Sequence, residues 1–94
     1  MKKICIVGGG TAGLVTALIL KTRFSSLQID IIKSDKIGII GVGEGSTEHW
    51  KEFTDFTGIA IKELIKETDA TFKGGIMFED WTKQPYYHSI ISSI

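Results

Sequence analysis

The stretch Lys3-Ile4-Cys5-Ile6-Val7-Gly8-Gly9-Gly10-Thr11-Ala12-Gly13 decides how the rest of the chain is read. A short apolar run rich in β-branched residues leads into a glycine-rich turn, and a segment with helical periodicity follows. Gly8, Gly10 and Gly13 fit the spacing G-x-G-x-x-G. Each glycine meets a separate steric demand. Gly8 permits the tight turn, Gly10 lets backbone N–H groups approach phosphates, and Gly13 brings helix and strand close. An anion placed there meets the unpaired N–H groups of a helix N-terminus and the positive end of its dipole. A tight strand-to-helix turn that holds nothing has the same spacing; the apolar strand before it and the helix after it favour a dinucleotide diphosphate.

Outward from that turn, Leu14, Val15, Leu18 and Ile19 recur at three- and four-residue spacing, which predicts a helix from Ala12 to about Arg23 with one buried stripe. Ser25-Ser26 breaks it, and Gln28 to Ile32 reads as a second, isoleucine-rich strand. Strand, helix and strand make the start of a Rossmann-like α/β unit, and the crossover rule predicts a parallel pair. Such a sheet has about five or six strands, so the fold is expected to be incomplete in these 94 residues.

Composition narrows the class further. Eleven basic and eleven acidic residues give a formal net charge of zero, and they are interspersed, so no nucleic-acid footprint or membrane-attracted patch is expected. Cys5, the single cysteine, excludes a disulfide framework and reads as a small buried side chain of the first strand. The N-terminus lacks the apolar region and cleavage site of a secretory signal, and its apolar run is far shorter than the roughly 20 residues that span a bilayer. The expected setting is cytoplasmic and reducing.

At the end of the second strand, about 20 residues beyond the last glycine, this kind of fold commonly presents an acid to the ribose hydroxyls. Lys33 stands there instead, with Asp30 inside the strand and Asp35 past its end. Either Asp35 reaches back, or backbone around Ser34 and Ile37 holds the ribose. A lysine there could also meet a 2′-phosphate, which the flanking carboxylates disfavour.

The segment Ile37-Gly38-Ile39-Ile40-Gly41-Val42-Gly43-Glu44-Gly45-Ser46-Thr47 follows. Its glycines imply irregular backbone lying close to a flat ligand. Ser46 or Thr47 is placed to cap the next helix, whose Trp50, Phe53 and Phe56 form a packing stripe and whose natural stop is Gly58. Ile61, Leu64 and Ile65 predict a second short helix with Lys62, Glu63, Lys66 and Glu67 in water. From Thr71 to Glu79 the period changes to two, with Phe72, Gly74, Ile76 and Phe78 on one side and Lys73, Gly75, Met77 and Glu79 on the other, so a strand is predicted. Pro85 with Tyr86-Tyr87 is expected to begin an irregular segment. No internal repeat is present, and His49 and His88 have no partner at metal-ligand spacing, so no metal site is expected.

Three blocks now coincide: Gly8-Gly9-Gly10-Thr11-Ala12-Gly13, then Gly41-Val42-Gly43-Glu44-Gly45-Ser46-Thr47, then Thr71-Phe72-Lys73-Gly74-Gly75-Ile76-Met77-Phe78-Glu79-Asp80-Trp81. In this order and spacing the chain resembles the N-terminal part of the flavin-dependent tryptophan halogenase family, up to about His88. The resemblance implies that residues 1–94 are the N-terminal portion of a Rossmann-like FAD-binding module of the flavin monooxygenase type. It implies reduced FAD from a separate, transiently bound flavin reductase, oxygen and halide as reactants, and hypohalous acid passing through a tunnel to a lysine. That lysine delivers the electrophile to a small aromatic substrate such as an indole.

By the same resemblance Lys73 is the catalytic lysine, and Gly41 to Gly45 form a strap along the flavin. Gly8, Gly10, Thr11, Ala12 and Gly13, with Ser34, Ile37, Ile40, Glu44 and Gly45, fall where the family contacts FAD. An ammonium hydrogen-bonds hypohalous acid and polarises its halogen, a neutral amine can itself be halogenated, and desolvation of a lysine favours the neutral form. Phe72 and Ile76 would keep that strand dry. Glu44 also reads as a carboxylate that shapes its own loop by accepting from nearby glycine N–H groups.

Lys33 and the Gly45-Ser46 pair depart from the family pattern, and the family's W-x-W-x-I-P signature, second catalytic carboxylate and halide site do not occur among these residues. The expectation is therefore a truncated frame, or one half of an enzyme completed by a C-terminal remainder on a separate chain, inactive by itself. The alternatives are a non-catalytic FAD- or nucleotide-binding module and half of a split flavoprotein monooxygenase.

Overall fold

A computed structural model describes residues 2–38, 40–41 and 43–89 of the chain. Ile39 and Val42 of the glycine-rich segment lie outside the described residues. The order of elements is β1 (Lys3–Val7), α1 (Thr11–Arg23), β2 (Gln28–Ile32), α2 (His49–Thr57), α3 (Ile61–Thr68), β3 (Gly75–Phe78) and β4 (Tyr86–Ser89).

β1 and β2 pair in parallel, with Lys3 opposite Gln28 and Val7 opposite Ile32. Their alternation puts Ile4, Ile6, Ile29 and Ile31 on one face. That face meets α1, and Leu14, Ala17 and Leu18 of the helix join Ile29 and Ile31 along an open trough of about 580 Å³. α1 is held at its end by Phe24 N–H on the Leu20 carbonyl at 2.8 Å and by Lys21 Nζ on the Leu27 carbonyl at 2.7 Å. Leu27, the one buried apolar residue among those described, sits in this return to β2.

α2 packs on α1. Its Thr54 is 1% exposed and donates its hydroxyl to the Lys51 carbonyl at 2.9 Å, while the Thr54 carbonyl accepts from the Gly58 and Ile59 N–H groups. Gly58 has φ 77° and closes the helix in the left-handed conformation that a glycine reaches without a Cβ penalty. Trp50 and Phe53 meet with ring centres 4.9 Å apart, while Phe56, the third member of the expected stripe, is exposed. In α3, Leu64 and Ile65 are half-buried, and the charged positions 62, 63, 66 and 67 are in water.

Several expectations are corrected. Neither Ser46 nor Thr47 caps α2 with its side chain: Glu48 takes the cap position with helical backbone, and the Thr47 hydroxyl lies 3.3 Å from His49 Nδ1 instead. The strand expected over 71–79 is only β3. Its pairing starts with Gly75 facing Ser89, the last described residue of β4, and the glycine pair 74–75 weakens extension toward Thr71. Tyr86-Tyr87 is not irregular: it opens β4, antiparallel to β3. Pro85 precedes the first paired residue, where a missing N–H costs nothing, and the Tyr86 ring stacks on Phe78 at 5.0 Å.

Cys5 is exposed rather than buried, and the expected α1 stripe is only half-covered, with Leu14, Leu18 and Ile19 exposed. One cause explains both. A parallel strand pair has the composition of an element covered on both faces, but α1 covers only the Ile4 and Ile6 face. Cys5, Val7 and Ile32 lie toward the other, which is open. The radius of gyration is 17.4 Å, against about 12 Å for a compact domain of this length.

On the open face Lys3 Nζ pairs with Asp30 at 2.9 Å across the strands. Their hydrogen bond, then their charge attraction, raises the lysine; the same bond holds the carboxyl below the usual aspartate range. A depressed carboxylate stabilises above its unfolded pKa, and that contribution fades as pH falls through the lower folded value. The Asp30 carboxyl should therefore titrate, by carbonyl NMR, below the ordinary aspartate value of about 3.9 and return to it in Lys3→Met; an ordinary midpoint in the unaltered chain contradicts the pair. In the 94-residue chain, Cys5 should react with a thiol reagent within about tenfold of its rate in denaturant, and strong protection would show the face covered.

Candidate functional site

Where β1 meets α1 the chain turns on Gly8, which has φ 126° and donates its N–H to the Ile32 carbonyl at 2.8 Å. The turn is thereby fixed to the end of β2. A Cβ on Gly13 would be driven into the Gly8 carbonyl oxygen, so the helix crosses the strand end at a distance no other residue allows. Gly10 forms the N-cap with extended backbone, no side chain caps the helix, and its first turn carries no acid. The N–H groups at the start of α1 are left to an outside acceptor. Gly8, Gly10, Thr11, Ala12 and Gly13 are thus brought together as one turn.

Thr11 is the first residue of α1, and its hydroxyl donates to Glu44 Oε1 at 3.1 Å. This bond ties the glycine-rich segment to the turn across 33 positions. The same carboxylate oxygen lies beside Gly41, where a Cβ would touch it at 3.7 Å. Glu44 therefore shapes its loop through the Thr11 hydroxyl, where glycine N–H partners were expected. Ser34 accepts from the Lys36 N–H at 3.2 Å. Ile37 and Ile40 are 66% and 87% exposed, and Gly45 is exposed.

The strap continues into a second feature. Ser46, Thr47, Glu48 and His49 line an open pocket of about 340 Å³ together with Lys73, Ile76 and His88. Lys73 is exposed and lies two residues before β3, not within a strand. Phe72 is 84% exposed, so it does not dry the site; Ile76 is the apolar side chain lining the pocket. The hairpin approaches closely because Gly75 has no side chain: a Cβ there would strike the Tyr87 ring and the His88 carbonyl.

Sequence reasoning did not bring His49 and His88 to this pocket. His88 reaches the pocket through the β3–β4 pairing, which sets it opposite Ile76, and the run Tyr86-Tyr87-His88-Ser89 carries no alternation that announces it. Among the described residues no group of three or more His, Cys, Asp or Glu side chains could hold a metal ion, and no helix is long and apolar enough to cross a membrane.

The family model for tryptophan halogenase matches residues 3–92. The chain is 44% identical over 77 residues to the 7-chloro-L-tryptophan 6-halogenase KtzR of Kutzneria sp. (strain 744), covering 81% of this chain and 15% of that relative. It is 37% identical over 87 residues to the tryptophan 6-halogenase SttH of Streptomyces toxytricini, covering 92% of this chain and 16% of the relative. The crystal structure of SttH superposes with a TM-score of 0.86 at 35% identity, over 95% of this chain and 19% of that one. A tryptophan C-6 flavin-dependent halogenase (chlorinase) from taromycin biosynthesis superposes at 0.81, with 35% identity over 95% of this chain and 18% of that one. The chain therefore spans less than a fifth of the length of these relatives and matches their N-terminal α/β portion, and it belongs to the tryptophan halogenase family.

Proposed function

We propose that this chain carries the nucleotide-binding turn, the flavin strap and the halogen-delivering lysine of a flavin-dependent halogenase, an oxidoreductase acting on tryptophan or another electron-rich indole. Residues 1–94 are the N-terminal part of its FAD-binding module, and further sequence, on the same or a separate chain, completes the enzyme. One observation carries this reading. A single segment leaves the phosphate turn at the Thr11–Glu44 bond and within a few residues lines the pocket that holds Lys73.

The turn suits FAD on its geometry: a positive-φ Gly8, a helix crossing only Gly13 permits, and an N-terminus without a capping side chain. The N–H groups of residues 10–13 would hold the diphosphate, and the strap from Gly41 to Gly45, with Ser34, Ile37 and Ile40, would lie along the rest. Bound FAD, once reduced by a separate flavin reductase, supplies with oxygen and halide the electrophilic halogen. Lys73 is the one group lining the pocket with an amine that can hydrogen-bond a hypohalous acid and aim its halogen. Ile76 and His88 form the wall beside it, and the aromatic substrate approaches from the open side. A reducing, cytoplasmic setting suits reduced flavin and a single unpaired thiol.

In the protein as encoded, supplied with reduced FAD, oxygen, halide and tryptophan, Lys73→Ala should lower halogenated product at least about 100-fold while flavin oxidation stays within about twofold. Unchanged product formation would remove Lys73 from the chemistry. Thr11→Val and Glu44→Ala should each weaken FAD binding by about threefold to tenfold, and the double variant should be no weaker than the worse single one. Additive losses would mean that the bond does not couple turn and strap.

A further inference from the structure

We propose that Lys33 is a phosphate-contacting residue of the nucleotide site, so that this chain meets the adenosine half of its nucleotide with a cation where related turns offer a carboxylate to the ribose. The inference rests on reading the glycine turn as a nucleotide site and adds a ligand contact to it.

The first observation is where the lysine lies. Its Cβ and Cδ would be 2.8 and 3.0 Å from a Cβ on Gly9, and its Cγ 3.4 Å. The aliphatic stem is thus laid against the middle of the glycine turn, in room that only a glycine at position 9 leaves. The ammonium follows only two bonds beyond Cδ, so it stays within reach of the turn. The Gly8 N–H on the Ile32 carbonyl fixes this end of β2 to the turn at 2.8 Å, so stem and loop move as one piece.

The second observation concerns the flanking carboxylates. Asp30 is committed to Lys3, at 2.9 Å. Asp35 lies past the strand end, and the ion pairs found among the described residues, Lys3–Asp30 and Lys51–Asp55, do not include it. Lys33 likewise has no ion pair among the described residues. A lysine whose stem lies against the glycine turn, and whose charge no ion pair among the described residues neutralises, is placed to take a phosphate oxygen by a charge-assisted hydrogen bond. Two phosphates can supply that oxygen: the diphosphate of FAD itself or, on a dinucleotide other than FAD, a 2′-phosphate on the ribose, the group that a basic residue in this region accommodates in other dinucleotide folds.

The test is calorimetric titration of the protein as encoded with ADP and with adenosine 2′,5′-bisphosphate, using the unaltered protein, Lys33→Met, Lys33→Arg and Gly9→Ala. Lys33→Met should bind one or both probes about tenfold more weakly, with Lys33→Arg within about threefold of the original. The difference should shrink as salt is raised. A loss with ADP assigns the ammonium to the diphosphate; a loss confined to the bisphosphate assigns it to the ribose 2′ position. Gly9→Ala should reproduce the Lys33→Met loss, and combining the two should add little. Binding by Lys33→Met within about twofold for both probes overturns the inference and leaves the nucleotide site standing; failure of the unaltered protein to bind either probe overturns both.

Discussion

The structure depends on the approach of Gly13 to the Gly8 carbonyl. Because Gly13 carries no Cβ, α1 can start immediately above the end of β1; Gly8 makes the turn through its positive φ, and no side chain caps the N-terminus of the helix. Any side chain at position 13 would push the helix off the strand pair and move its first turn with it. Everything downstream takes its position from that crossing. Thr11 stands where its hydroxyl reaches Glu44, Glu44 sets the strap, and the strap delivers Ser46 and Thr47 to the pocket shared with Lys73.

The forces holding this arrangement are of unequal size. The strand pair and its helix bury apolar surface, but on one face only, and Leu27 and Thr54 are the only buried residues among those described. The Thr11–Glu44 bond and the Lys3–Asp30 pair are exposed, where such contacts contribute little net stability. Their effect is on position: the first fixes the strap to the turn, the second fixes the register of two short strands. The large exposed apolar residues, Val7, Ile32, Phe72 and Trp81 among them, show how much surface is left to be covered.

What could be read from the residues follows from the range of the interactions involved. Strand, turn and helix from Lys3 to Arg23, β2 from Gln28 to Ile32, and the Gly58 stop are written in local periodicity and in backbone demands that glycine alone meets, and the structure places them within a residue or two of expectation. The parallel pairing followed from the crossover rule. Burial could not be read the same way: Cys5 has the sequence context of a core residue, yet its exposure depends on which elements cover the second face. β4 was hidden because Tyr86 to Ser89 gain their strand character from pairing with β3, a contact between segments that no local pattern displays. Lys73 looked like a strand position by alternation, and its place before β3 reflects where pairing begins. Its neighbours His49 and His88 are distant in sequence and meet only through the hairpin and the strap. Lys33 was visible as a departure, but the stem lying on Gly9 was not.

If the N–H groups opening α1 grip a diphosphate, they orient the strap toward Lys73, and the rest of the chemistry follows from that hold. A crystal structure of the protein as encoded with FAD bound tests this most directly. Phosphate oxygens are expected within hydrogen-bond distance of backbone N–H groups of residues 10–13, the 41–45 strap against the flavin, and the Lys73 amine facing the substrate cavity. A diphosphate bound away from that turn, or a Lys73 amine directed into bulk solvent, would contradict it.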